Sequence, residues 1–216
     1  MASVTAEPSS RPLSIEIVSD FACPWCLIGT RRLEIALASL PDVAASWTYR
    51  PFLLDPSTPA EGVDLRDRLR RKYGDPEPLF RRVETAAKES GIALDFDKVR
   101  RGVPTLRAHT LSRLAIDKGT QRALARDLFD AYFLEGRDIS AMDVLLELAQ
   151  RHGFSRDETL EALESPSELD QTREEARAAA EAGITGVPFV VIDQRFAVPG
   201  AQAPEMFRRA IERARG

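Results

Sequence analysis

The stretch Leu13–Gly29, LSIEIVSDFACPWCLIG, decides the fold. Leu13, Ile15 and Ile17 alternate with Ser14 and Glu16, the period-two mark of a strand with one buried face. Ser19-Asp20-Phe21-Ala22 then leads into Cys23-Pro24-Trp25-Cys26. A helical pattern follows on Ile28, Leu33, Ile35, Ala36, Leu37 and Leu40 and is stopped by Pro41. Pro24 suits the first helical turn, where a missing N–H costs nothing. Val43–Phe52 is aromatic and β-branched and reads as a second strand, ended by Pro51 and Pro56. Strand, helix and strand at this spacing predict a βαβ unit, parallel and right-handed.

The chain has only two cysteines, Cys23 and Cys26. A disulfide across so short a loop restricts the unfolded chain little, so a stabilising role is a poor explanation. A C-x-x-C pair directly before a helix has a chemical one. The first cysteine sits over the unpaired N–H groups at the positive end of the macrodipole, which favours thiolate over thiol. In such motifs the pKa falls from about 8.5 to roughly 3.5–7.5, and the thiolate is the attacking species. The second cysteine is one turn on and can release a mixed disulfide. Cys23 is thus the expected nucleophile and Cys26 the resolving thiol, with Pro24 and Trp25 shaping the turn. Half a zinc site and a pair of inert buried cysteines are the rival readings. A closed zinc site needs about four ligands, and only His109 and His152 could join the cysteines as soft ligands. No metal is expected.

Downstream the pattern changes. Leu65–Tyr73, Pro78–Ser90, Leu106–Asp117, Arg122–Leu134, Ala141–Arg151 and Glu158–Glu164 carry apolar residues at helical spacing. Thr105, Ser140 and Ser155 are the expected caps, Ser155 forming a capping box with Glu158. Gly91, Gly119, Gly136 and Gly153 stand where left-handed helix ends are expected. A long helix is predicted over Ser167–Ala182, strands over Val187–Ile192 and Arg195–Val198, and a last helix from Pro204 to Ala214. Pro188 opens an apolar strand, a position that tolerates proline. The expected fold is α/β, thioredoxin-like, with a large all-α insertion. Its first part spans 12–60, the insertion 61–166 and the second part 167–216.

Thirty basic against 34 acidic residues leave a net charge of −4, so no cationic field is present to gather nucleic acid or anionic lipid. Apolar runs such as Val187–Ile192, six residues, are far short of the roughly 20 that span a bilayer. Met1–Ser10 is polar and reads as a frayed end without a secretory leader, so a cytoplasmic location is expected.

Taken together, C-P-W-C after a first strand, a helical insertion and T-G-V-P-F (185–189) resemble the DsbA family of thiol–disulfide oxidoreductases. A-H-T-L (108–111), L-F-D-A-Y-F-L-E-G-R-D-I-S (128–140), G-V-P-F-V-V-I-D (186–193) and P-G-A-Q (199–202) resemble its FrnE-like cytosolic branch. The resemblance implies that Pro188 is a cis-proline facing the cysteines and that Val187 offers its backbone to an incoming peptide by strand addition. Periplasmic members carry His where this chain has Trp25, so a less strongly stabilised thiolate and a less oxidising couple are expected. The FrnE-like branch often has Asn just before the A-H segment, where this chain has Pro104-Thr105.

His109 lies on an otherwise apolar helix face. It reads as a structural histidine, with a place in the substrate groove as the alternative. Arg66–Lys72 is interleaved with acids and reads as a solvated face. The leading expectation is a disulfide oxidoreductase or isomerase acting on protein or small-molecule thiols and disulfides. It would need no resident cofactor, and glutathione is a candidate redox partner. A glutathione-dependent isomerase or transferase acting on a small molecule is one alternative, and a redox-gated binding or holdase module is another. A monomer and a homodimer are equally compatible with the sequence.

Overall fold

The computed structural model describes residues 11–215. The polar opening Met1–Ser10, read above as frayed, lies outside them. Strand β1 (Leu13–Ser19) runs into helix α1 (Pro24–Ala38) and strand β2 (Ala45–Pro51). The pairing of β1 with β2 is parallel, with Ile17 opposite Tyr49 and Ser19 opposite Pro51, as the βαβ reading requires. Between β2 and the rest of the sheet the chain makes β3 (Val63–Asp64), α2 (Leu65–Tyr73), α3 (Glu77–Glu89), β4 (Arg101–Gly102) and α4 (Leu106–Leu114). It continues through α5 (Gln121–Phe133), α6 (Met142–Arg151), α7 (Arg156–Glu164) and α8 (Pro166–Glu181). Strands β5 (Phe189–Ile192) and β6 (Phe196–Pro199) and helix α9 (Pro204–Arg215) complete the chain.

The four-stranded sheet has the order β2-β1-β5-β6, with β5 antiparallel to both neighbours. Asp193 and Gln194 take positive φ and turn the β5–β6 hairpin, so the second strand starts at Phe196 rather than Arg195. This is a thioredoxin-like α/β fold carrying a helical insertion. The insertion is not an independent lobe in its packing. Ile15, Ile17 and Ile28 belong to the same buried cluster as Leu111, Leu128, Phe129 and Leu145, so sheet and helices share one core.

Most expected helix ends are present. Gly91, Gly119, Gly136 and Gly153 all have positive φ, and Ser155 and Glu158 close the expected capping box. Two caps differ. Ser140 does not cap α6, whose cap position is Ala141, because its hydroxyl and N–H both turn to the Asp138 carboxylate. Thr105 occupies the cap position of α4, but its hydroxyl makes no capping bond. The β3–β4 ribbon was not foreseen, since two residues per strand are too few to show a period.

Candidate active site

Cys23 is the N-cap of α1, with extended backbone and no side-chain capping bond. Its N–H donates to the Asp20 carbonyl at 3.0 Å, and its own carbonyl accepts from Cys26 N–H at 3.0 Å. Pro24 holds the first helical position, where no N–H is missed. The Cys23 thiol is therefore free to turn away from the helix. It faces the Val187 carbonyl oxygen at 3.7 Å, across 164 residues of sequence. The Val187–Pro188 bond is cis, as the resemblance implies. Val187 stands before the β5 ladder, which begins with Phe189, so neither β1 nor β6 takes up its backbone groups. Pro188 packs on α1 at Gly29 and its carbonyl accepts from Gly200 N–H at 2.7 Å.

Both cysteines are free thiols and both are buried, Cys23 at 5% exposure and Cys26 at 0%. Burial pushes the Cys26 thiol well above its ordinary value, and the neighbouring Cys23 raises it further. The Asp20 backbone N–H and the Ser19 hydroxyl act on the same sulfur in the opposite sense. Trp25 is half-buried, with the Arg82 guanidinium of α3 5.6 Å from its ring centroid. The tryptophan of the motif is thus held by a cation–π contact from the insertion.

His109 is 4% exposed and lies behind the site rather than on its surface. Its ring centroid is 4.6 Å from that of Phe21, and its Nε2 is 3.4 Å from Asp20 Oδ1. Asp20 is the residue that the motif reading passed over. Its carboxylate accepts from Ala22 N–H at 3.2 Å and from Leu54 N–H at 2.8 Å, so one side chain ties the loop before Cys23 to the segment after β2. Burial raises its pKa, but His109, the Leu54 N–H and Thr105 outweigh that and hold it below the ordinary carboxylate range. The signal for it was a lone acid in an apolar run three residues before Cys23. It was overlooked because an Asp at the end of a strand usually marks a turn.

A cavity of about 800 Å³ opens between the segment after β2, the start of α4 and α8, lined by Phe52, Leu53, Thr105, Arg107, Leu169 and Arg173 among others. Neither cysteine lines it, nor does Pro24, Trp25, Val187, Pro188 or His109. Thr105 lies between the two places, since it walls the cavity and acts to lower the Asp20 pKa. No helix among the described residues is long and apolar enough to cross a membrane.

The sequence and the fold have relatives. The crystal structure described as a "probable DsbA oxidoreductase SCO1869" from Streptomyces coelicolor is 32% identical, with a TM-score of 0.85 over 94% of this chain and 89% of that one. YwbO of Bacillus subtilis (strain 168), itself uncharacterised, is 28% identical over 201 residues, covering 91% of this chain and 94% of the relative. The cytosolic disulfide reductase DsbM of Pseudomonas aeruginosa, solved with GSH, shares the fold at 19% identity and a TM-score of 0.60, covering 93% of this chain and 98% of that one. A family model for the DSBA-like thioredoxin domain matches residues 14–212. With a C-x-x-C pair at the start of α1 and a cis-proline facing it, the chain belongs to the DSBA-like thioredoxin domain family.

Proposed function

We propose that the protein is a thiol–disulfide oxidoreductase or isomerase that works in the cytoplasm through its C-P-W-C dithiol. The observation that carries this is the line from the fully buried Cys26, through Cys23 at the helix start, to the Val187 carbonyl beside Pro188. Cys23 attacks a substrate disulfide, or a substrate thiolate attacks the Cys23–Cys26 disulfide, through one mixed disulfide in either direction. An incoming peptide pairs with the backbone at Val187, which the sheet leaves unused. The sulfur chemistry is the chain's own, so no resident cofactor is needed, and glutathione serves as redox partner. The A-H-T-L and G-V-P-F-V-V-I-D segments support the FrnE-like branch, and the cytosolic DsbM neighbour supports the location.

The test is Cys26→Ser expressed in the cytoplasm. Mixed disulfides should accumulate on Cys23 and be released by reductant. Their absence from a normally folded variant would refute the activity. A glutathione-linked reaction on a small molecule is the second reading, favoured by the arginine-lined cavity that Thr105 joins to the Asp20 loop. Tight glutathione binding by Cys23→Ser, without trapped protein partners, would select it.

A further inference from the structure

Helix α1 carries two neighbouring arginines with different surroundings. Arg31 pairs with Glu34 on its own helix, whereas the Arg32 side chain is 16% exposed and reaches away from α1. Its Nη1 donates to the Ala201 carbonyl at 2.8 Å, and its Nε donates to Ser90 Oγ at 2.9 Å. Its Nη2 lies 3.8 Å from the Glu89 carboxylate. Ser90 is 4% exposed at the end of α3 and gives its own proton to the Ala86 carbonyl, so it is a fixed acceptor. A planar guanidinium fork can hold two separate elements in set geometry, which a lysine ammonium on a flexible stem does not.

One of those elements leads to the site. Ala201 lies in the turn from β6 into α9, and the neighbouring Gly200 N–H donates to the Pro188 carbonyl at 2.7 Å. Pro188 packs at Gly29, three residues before Arg32 and on the same side of α1. Upstream, no backbone–backbone hydrogen bond among the described residues holds Thr185, Gly186 or Val187. The backbone opposite Cys23 is thus hydrogen-bonded into the fold from its C-terminal side, through Pro188 and the turn that Arg32 grips.

We propose that Arg32 is a positioning residue for strand addition, which fixes the Val187 edge by tying the Ala201 turn to the end of α3. This rests on the thiol–disulfide reading above. Helix α3 also carries Arg82, whose guanidinium lies over Trp25, so one helix of the insertion meets both the motif and, through Arg32, the peptide edge. Without the guanidinium the turn is free to shift, and fewer molecules present the edge. Apparent affinity for a peptide falls with that fraction. A small thiol needs no strand edge, so Arg32 favours peptides over small thiols without touching either.

The experiment follows opening of the Cys23–Cys26 disulfide by a short extended peptide carrying one cysteine and by N-acetylcysteine. In each case the probe thiolate bonds to Cys23 Sγ, the Cys23–Cys26 bond breaks, and its electron pair leaves on Cys26 Sγ. The readout is the ratio of the peptide rate to the N-acetylcysteine rate. In Arg32→Met, which keeps an apolar stem and loses the donors, the ratio should fall about tenfold, the size of one hydrogen bond from a charged group. The N-acetylcysteine rate should hold. Arg32→Lys should recover part of the ratio, and Ser90→Ala, which removes only the α3 anchor, should lower it less than Arg32→Met. Gln121→Ala weakens the fold at β2, away from this turn, and should leave the ratio unchanged. A wild-type ratio in folded Arg32→Met, or in Ser90→Ala should Arg32→Met not fold, would overturn the positioning role. So would an equal fall in Gln121→Ala, or a wild type with no preference for the peptide. A wild type whose disulfide opens with neither thiol would instead overturn the thiol–disulfide reading.

Discussion

A methyl group placed on Gly29 would lie 2.7 Å from Cγ of Pro188. The second turn of α1 and the proline before β5 touch here with no room for a side chain between them, and the same approach brings Cys23 to Val187. Gly29 is an interior helical residue, and alanine there gains about 0.8–1 kcal/mol in an open helix. Here the sign should reverse.

Gly29→Ala is expected to destabilise the protein by about 1–3 kcal/mol, the range for overpacking a filled site. It should also slow disulfide exchange, because the Pro188 ring must give way. Urea unfolding with a midpoint at or above the wild type would refute the contact.

Strand β2 is an edge, and Gln121 of α5 completes it. The Gln121 side chain accepts from Tyr49 N–H and donates to the Tyr49 carbonyl, both at 3.0 Å, as a neighbouring strand would. Gln121→Ala would strand two buried backbone groups at about 1–3 kcal/mol each. A loss of about 3 kcal/mol in urea unfolding is the expected result. A loss under 1 kcal/mol would mean that water replaces the amide.

Asp20 carries a pH dependence. Its folded pKa is held below the ordinary carboxylate value, net of a burial effect that alone would raise it. A depressed acid stabilises the fold above its unfolded pKa, near 3.9, and loses that contribution as pH falls through the folded value. His109 is the ionisable side chain facing it. Asp20→Asn should therefore cost about 3 kcal/mol at pH 7, the scale for breaking a buried pair. The gap between variant and wild type should narrow steadily below pH 4. A gap that stays constant from pH 7 to pH 3 would show that the carboxylate charge is not what matters.

The α/β frame was legible because its signals are local. Alternation in Leu13–Val18, the cysteine spacing and the run of capped helices each lie within one window of sequence, and the structure repeats them with boundary shifts of a residue or a few. Phe80, Phe129, Tyr132 and Phe133 fall at helical spacing and are buried. Asp20 and Gln121 were not legible in this way. An aspartate near a strand end and a glutamine at a helix start are common in solvent, and only their burial against distant backbone gives them a role.

The sequence by itself determined which atoms could react: two thiols one turn apart at the beginning of a helix, in a chain offering few other soft groups. It also determined the order of strands and helices, since period and punctuation are properties of neighbouring residues. Only the tertiary structure decided what surrounds those thiols. Cys23 meets Val187 across 164 residues and Asp20 meets His109 across 89. Such pairings arise when the sheet closes and the insertion docks on it. Burial strengthens each charge and makes each unpaired hydroxyl costly, and burial is fixed by packing, not by the spacing of residues along the chain.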